Sequence, residues 1–391
     1  MRDVFGAWNA LGIRAIIEDS YSTFGPKSGW QSAGGFILDA FQVFAKIVQH
    51  ARKDVASDVA TEEVLSQIEA ELSARSIACE AYAPLFGVTV PTESMVRLPR
   101  AVILRAATED DWNRSHSDGG LGFHHHLPSA CLTVGFERSR TDATVNASVP
   151  SEAIDSAKRA MSVFMGGRIG SSFVEVRSPA GRLLVGGGFK TLPQGAIPSG
   201  AYSLTESDIP KLISVAERLE KPMCNELQFA CERLTEAEHR LKARDTILDA
   251  VIGLESILLV GDAAREGLRH RFALAAASLL PLEAGPLRRE RFRLAYDMYL
   301  ARSKLAHSGA ELEPQKIGAE KLSGAELAKR ACSLLRETIH WFLLDHVEVV
   351  PTGRAKAEDY WRDFWERRLF GLDAAVHAVE EEEAGAEETG P

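Results

Sequence analysis

The strongest constraint on the fold is a run of apolar residues at helical spacing that occupies most of the C-terminal half. Residues 206–219 form one such stretch, and a long periodic stretch covers 224–260. Further stretches cover 265–280, 287–306 and 324–347. Apolar side chains recurring every three to four residues give each helix one face to bury, and such faces are stable only against each other. The links Gly261-Asp262 and residues 281–286 are short, which favours antiparallel neighbours. The pattern predicts an all-α four-helix bundle from about Ala243 to Asp345.

The first half reads differently. Residues 37–54 place Ile37, Phe41, Phe44, Ile47 and Val48 at helical spacing, and 61–74 read as a second helix. From Cys79 to about Leu204 the chain offers short β-like runs at 86–90, 100–105, 130–136, 173–177 and 183–185. Gly, Pro, Ser and Asp separate these runs, as turns require, and a helical pattern at 151–165 interrupts them. The fold class expected is α+β overall. A helical N-terminal region (1–78) and a mixed region with an antiparallel sheet (79–206) precede the bundle with its leading helices (207–350). A C-terminal helix and an acidic, disordered tail (351–391) follow.

Charge narrows the functional classes. The 391-residue chain has a formal charge of −10, which argues against a protein that coats nucleic acid over its whole surface. The charge is uneven: residues 241–350 hold 16 Lys and Arg against 15 Asp and Glu, whereas 351–391 hold 5 against 11. A local basic cleft can therefore still bind RNA phosphates. The five cysteines (Cys79, Cys131, Cys224, Cys231, Cys332) are scattered with no C-x-x-C pair, so the expectation is reduced thiols in a cytoplasmic protein. No long apolar run or secretory pattern is read, and no membrane partner is expected.

Within residues 287–306, Phe292, Ala295, Met298, Tyr299, Arg302 and Leu305 trace a helical stripe with Arg302 at its edge. His307 follows just before Ser308-Gly309, a helix stop. On a continuous helix a five-residue step turns about 140°, so the two would meet only if His307, at a frayed end, bends back into the cleft. Spacing alone is uninformative, because Arg265 and His270 repeat it and Arg233 and His239 approach it. Position decides instead: Arg302 and His307 stand at the end of the third bundle helix, one turn after Tyr299.

Three segments in order carry a resemblance. Residues 247–259 (ILDAVIGLESILL) resemble the first helix of the Apea-like branch of the HEPN superfamily, 269–280 (RHRFALAAASLL) its second, and 299–309 (YLARSKLAHSG) its signature third. Residues 327–344 fit the fourth. The resemblance covers about a quarter of the chain. It implies a ribonuclease that needs no metal or other cofactor, acts as a homodimer with two third helices facing one cleft, and belongs to an anti-phage defence or toxin system. An unidentified trigger or antitoxin would then act through the N-terminal half. Arg302 and His307 would be catalytic, with Ser303, Lys304 and Arg271 touching RNA. The family often has a polar residue directly after the Arg, and Ser303 fits that weakly. Glu255 is expected to be buried and to pair with a bundle arginine such as Arg269 or Arg271.

Two other functions compete: a catalytically inactive HEPN module that binds RNA or dimerises, and a partner for a separately encoded nucleotidyltransferase. Other motifs point elsewhere less strongly. His124-His125-His126, with His116 and Cys131 near, has zinc-type ligands but not their spacing. Residues 166–170 and Gly186-Gly187-Gly188 match no phosphate-loop pattern and read as tight turns. Tyr360, Trp361, Phe364, Trp365, Leu369 and Phe370 form an aromatic stripe among acidic residues, read as packing or a subunit contact.

Overall fold

The structure, a computed structural model, describes residues 66, 76–91, 94–109, 111, 128–139, 148–171, 173–177, 190–191, 202–260, 267–308, 314–317, 320–346 and 357–370. The expected helices at 37–54 and 61–74 lie outside these residues apart from Ser66, and so do the run at 183–185, the His116 and His124–126 group, Gly186–188 and the acidic tail. The fold is mixed α+β. The chain forms two compact units, one from Met1–Ala157 and Ser171–Gln194, the other from Lys158–Gly170 and Gly195–Pro391.

The first unit is built on a six-stranded antiparallel sheet. Its strands are β1 (Ser76–Leu85), β3 (Met95–Arg97), β4 (Val102–Ala106), β5 (Ala130–Ser139), β6 (Phe173–Arg177) and β7 (Lys190–Thr191), in the order β3-β4-β5-β1-β6-β7. A short strand β2 (Val88–Thr89) follows β1 and stands outside this sheet. The long central pair β1–β5 runs from Ser76↔Ser139 to Leu85↔Ala130. Pro84 is tolerated in β1 because β6 pairs only with Glu80–Tyr82, so no ladder bond on that side needs a Pro84 N–H. β3 and β4 are joined by a tight turn in which Arg100 and Ala101 both have φ of 57°, with Val102 N donating to Pro99 O at 3.3 Å. Such left-handed pairs match the twist of the strands they connect. Near the end of β4, Arg105 grips buried Asp111 with two nitrogens at 2.6 and 3.2 Å, and Thr108 adds N–H and O–H donors at 2.9 and 2.8 Å.

Helix α1 (Ser148–Met165) crosses from the first unit into the second. It stops at Gly166 and Gly167, whose φ values of +73° and +81° are left-handed. This pair ends a helix and is not the tight β-turn the sequence suggested: Gly166 N–H donates back to Ser162 O at 3.2 Å. A Cβ at Gly166 would also fall on the Arg336 guanidinium.

The second unit begins, after a two-residue strand β8 (Tyr202–Ser203), with α2 (Ile209–Leu219), α3 (Asn225–His239) and α4 (Ala243–Leu258). The long periodic stretch over 224–260 is thus two helices, the second starting at Ala243, where the sequence pattern starts the bundle. Arg240 and Lys242 adopt extended backbone (ψ 139° and 128°) and turn the chain, leaving Leu241 exposed at the tip. Antiparallel packing follows, with Ser256 Oγ donating to Glu226 O at 3.1 Å and Arg233 Nη1 reaching Asp249 Oδ1 at 3.1 Å. Asp249, nearly buried, also accepts from Arg240 Nε at 2.6 Å, so one carboxylate ties both sides of the break. The reversal is what places α3 and α4 face to face through Leu227, Cys231, Leu234 and Ile247, Val251, Leu254.

Next come α5 (Leu268–Ser278) and α6 (Gly285–Ser308), which pack as a hairpin, then a β-ribbon of β9 (Gln315–Ile317) and β10 (Glu320–Leu322). Helix α7 (Gly324–His340) starts with a capping box, Ser323 and Glu326 each bonding the other's backbone N–H, and runs into a π-turn at Trp341–Asp345. Helix α4 is central, touching α3, α7, α6 and α5. Helix α8 (Ala357–Phe370) lies against α5. Its Trp361, Phe364 and Trp365 are buried, with Phe342 of the π-turn among their ring contacts, so these three members of the aromatic stripe are packing, whereas Phe370 at its end is exposed.

Candidate functional site

Helix α6 runs to Ser308, so His307 belongs to the helix and does not follow its end. This corrects the expected frayed terminus. Residue 307 therefore keeps the five-residue step from Arg302, about 140° around the axis. The side chain of His307 lies outside the described residues.

Buried Ala295, Met298, Ala301 and Leu305 define the inward face of α6. Arg302 sits on its flank, half-buried, and its Nη2 donates to Glu255 Oε2 on α4 at 3.3 Å. Glu255 was expected to pair with a bundle arginine such as Arg269 or Arg271, and it does pair with one, Arg302. The reason lies in helix phase. Glu255 follows buried Val251 and Leu254 on the α4 surface that meets α6, whereas Arg269 lies over the Tyr296 ring, 4.0 Å from its centroid. Tyr299, one turn before Arg302, lies near enough to Glu255 for its hydroxyl to favour the carboxylate, and packs against Phe272 of α5 (centroids 5.2 Å). Glu255, Tyr299 and Arg302 thus form one polar cluster between α4 and α6.

The electrostatics of this cluster follow from burial. Desolvation raises the pKa of Glu255, against the lowering effect of Arg302 and the nearby Tyr299 hydroxyl. Desolvation and the neighbouring Glu255 charge likewise raise that of Tyr299. The buried Nε of Arg302 has no hydrogen-bond partner among the described residues. Arg302 is therefore a cation held at one end by a carboxylate that binds its proton more readily than usual, with donor capacity left over. Such a group can bind an anion.

Ser303, half-buried, and Lys304, exposed, follow Arg302 on α6; Arg271 is half-buried on α5 beside Phe272. Of the competing Arg–His pairs, Arg233 and His239 behave as structure, and Arg265 lies outside the described residues. Arg233 is spent on Asp249 and Glu236, and His239 Nδ1 bonds Thr235 O at 2.6 Å. All five cysteines are buried and none is in a disulfide; burial pushes Cys224 up to about 11 and Cys231 and Cys332 up to about 12, which keeps those thiols protonated. Among the described residues no cluster of His, Cys, Asp and Glu could hold a metal ion, and no helix is long and apolar enough to cross a membrane.

Sequence reasoning missed the Glu255–Arg302 pairing and with it the chemical role of Tyr299. The signal was available as an acid on the apolar face of one helix and an arginine at the edge of the apolar stripe on another. No protein-family model, curated protein or solved structure matches the chain.

Proposed function

We propose that α4, α5, α6 and α7 form a HEPN-type bundle and that the protein is an endoribonuclease acting as a homodimer without a metal ion. The observation that carries this reading is the Glu255–Tyr299–Arg302 cluster, a half-buried cation with spare donors near the end of the helix whose sequence resembles the HEPN signature. RNA supplies its own nucleophile, the 2′-hydroxyl. Its oxygen attacks the adjacent phosphorus, the bond to the 5′-oxygen of the next nucleotide breaks, and a 2′,3′-cyclic phosphate remains. Arg302 neutralises the charge that builds on the phosphoryl oxygens, without changing its own protonation. Imidazole is suited to proton exchange near neutral pH, and His307 takes the proton from the 2′-hydroxyl and gives it to the departing 5′-oxygen. Ser303, Lys304 and Arg271 supply further phosphate contacts. With residues 302 and 307 turned about 140° apart, a twofold pair of α6 helices gives each phosphate an Arg from one copy and a His from the other.

A second reading is favoured by the same pairing. Glu255 occupies one end of Arg302, as it would in an inactive bundle that only dimerises or holds RNA. Incubating purified full-length protein with RNA in EDTA separates the two. The nuclease reading expects fragments ending in 2′,3′-cyclic phosphate and 5′-hydroxyl, and growth arrest on expression in cells. Intact RNA after incubation with a folded dimer, together with harmless expression, would overturn it.

A further inference from the structure

In an acidic chain, the α5–α6 hairpin is a basic exception: residues 268–308 hold eight Lys and Arg against three Asp and Glu. Part of this charge is already used, since Arg291 pairs with Glu337 of α7 and Arg302 with Glu255. What is left is concentrated on one side. Arg289, Arg293 and Tyr296 succeed one another at four- and three-residue steps along α6, with Phe292 beside them, on the side away from buried Met298 and Leu305. Arg289 and Arg293 are exposed, and neither has an acidic partner among the described residues.

Aromatic rings lie between these charges, and two residues of α5 complete the surface. Phe292 and Tyr296 lie nearly parallel (centroids 5.9 Å, planes 23° apart), and both are half-exposed. Arg269 stacks its guanidinium 4.0 Å from the Tyr296 ring centroid, and exposed His270 sets its ring edge-on to Phe292 at 5.2 Å. A fixed guanidinium plane and a pair of parallel rings, flanked by two free arginines, are the elements that hold single-stranded nucleic acid: flat faces for bases and cations for the phosphates between them.

We infer that this face of the α5–α6 hairpin binds a single-stranded stretch of RNA, stacking bases on the Phe292–Tyr296–Arg269 surface and taking phosphates on Arg289 and Arg293. The inference deepens the nuclease reading, since continuing the same helical steps along α6 through Leu300 and Ser303 reaches residue 307. A strand laid along this face is led toward the end of α6 where cleavage is placed. It does not need cleavage to be true.

The test uses full-length protein and a fluorescent 2′-O-methyl RNA oligonucleotide, which has no free 2′-hydroxyl and cannot be cut by this route. Binding is followed by anisotropy across a salt series. The double variant Arg289→Gln/Arg293→Gln should bind about tenfold more weakly near 0.1 M salt, and its log–log salt slope should fall by about 1.4, two phosphate contacts on a single strand. Tyr296→Leu should also bind about tenfold more weakly, with its slope unchanged, because stacking releases no counterions. Tyr296 is half-buried whereas the two arginines are exposed, so the double variant carries the test if Tyr296→Leu melts early. Wild-type affinity and slope in the double variant would overturn the inference. So would a change of oligomeric state with RNA binding intact, which would mark the face as a protein interface. Tight, variant-sensitive binding without cleavage of ordinary RNA in EDTA would instead sink the nuclease reading alone.

Discussion

Arg302 is held by a group whose charge is costly. Burial makes Glu255 harder to ionise, so its carboxylate depends on Arg302 and Tyr299 for compensation. Arg302→Ala should therefore cost more than function. It leaves a half-buried carboxylate without its cation, and stability should fall by about 1–3 kcal/mol in urea titrations. Glu255→Gln removes the charge and keeps the shape, so it should unfold at the same urea concentration as wild type or a higher one. An Arg302 variant tested for cleavage is best made with Glu255→Gln as background. The opposite case is Asp111, where burial pushes the carboxyl up but Arg105 and the two Thr108 hydrogen bonds prevail and hold it at about 2. Its folded pKa is below the ordinary 3.8, so the stabilisation, about 2 kcal/mol, is present above roughly pH 4 and lost as pH falls toward 2. Hydrogen exchange in β4 and β5 should quicken over that window, and Asp111→Asn should exchange with much less pH dependence.

Gly253 shows how the helices approach one another. A Cβ there would stand 2.8 Å from Leu335 Cδ2 on α7 and 3.0 Å from Arg233 Cβ on α3, and Leu335 is fully buried with little room to move. Gly253→Ala should destabilise by about 1–2 kcal/mol by overpacking, even though Ala is the better helix former by about 1 kcal/mol. A double-mutant cycle with Leu335→Val in urea should recover part of the loss; simple additivity would mean the contact is not the cause. Legibility at this scale followed the strength of local signals. Helices α5, α6 and α7 were readable because Pro281 follows α5, Ser308-Gly309 closes α6, and Ser323-Gly324 opens α7. The α3–α4 break was not, since apolar periodicity continues through Ala237 and Leu241, and only the gathering of Arg233 and Arg240 on Asp249 reveals the turn. Strand β1, at the centre of the sheet, was also missed. Its sequence, SIACEAYAPL, has few β-branched residues and a proline, and its pairing comes from β5 and β6, more than 40 residues away. Arg302 and His307 stood out by motif, whereas the Glu255 partnership depends on helix phases that only packing settles.

At the scale of the whole molecule, the helical unit includes a piece of chain from the middle of the sequence. Val163 O meets His340 Nε2 at 2.9 Å, and Phe164 stacks on the same imidazole. Arg168 reaches Glu238 O and Arg240 O at the end of α3, while Arg336 pairs with Glu238. Burial lowers the pKa of His340, partly offset by the Val163 bond. A lowered histidine pKa means the unfolded chain takes the proton first, so this stabilisation is full above about pH 6.5 and is lost as pH falls. Urea midpoints at pH 7.5 and 5.5 should differ more for wild type than for His340→Gln. The proposed homodimer makes its own prediction. Arg302→Gln and His307→Ala proteins, each inactive alone, should regain partial cleavage when refolded together, because mixed pairs restore one complete site. No recovery would put both residues to work within one copy, or neither.

The placement of Lys158–Gly170 in the helical unit also has a consequence for synthesis. This segment leaves the ribosome about 170 residues before His340, which it is to cover. At ordinary translation rates the interval is roughly 10 to 30 seconds. During that time Val163 and Phe164 wait as an amphipathic nascent segment whose partners have not been made. The unit cannot close vectorially from its first residue onward, and its completion depends on the nascent chain keeping that early segment available until α7 emerges.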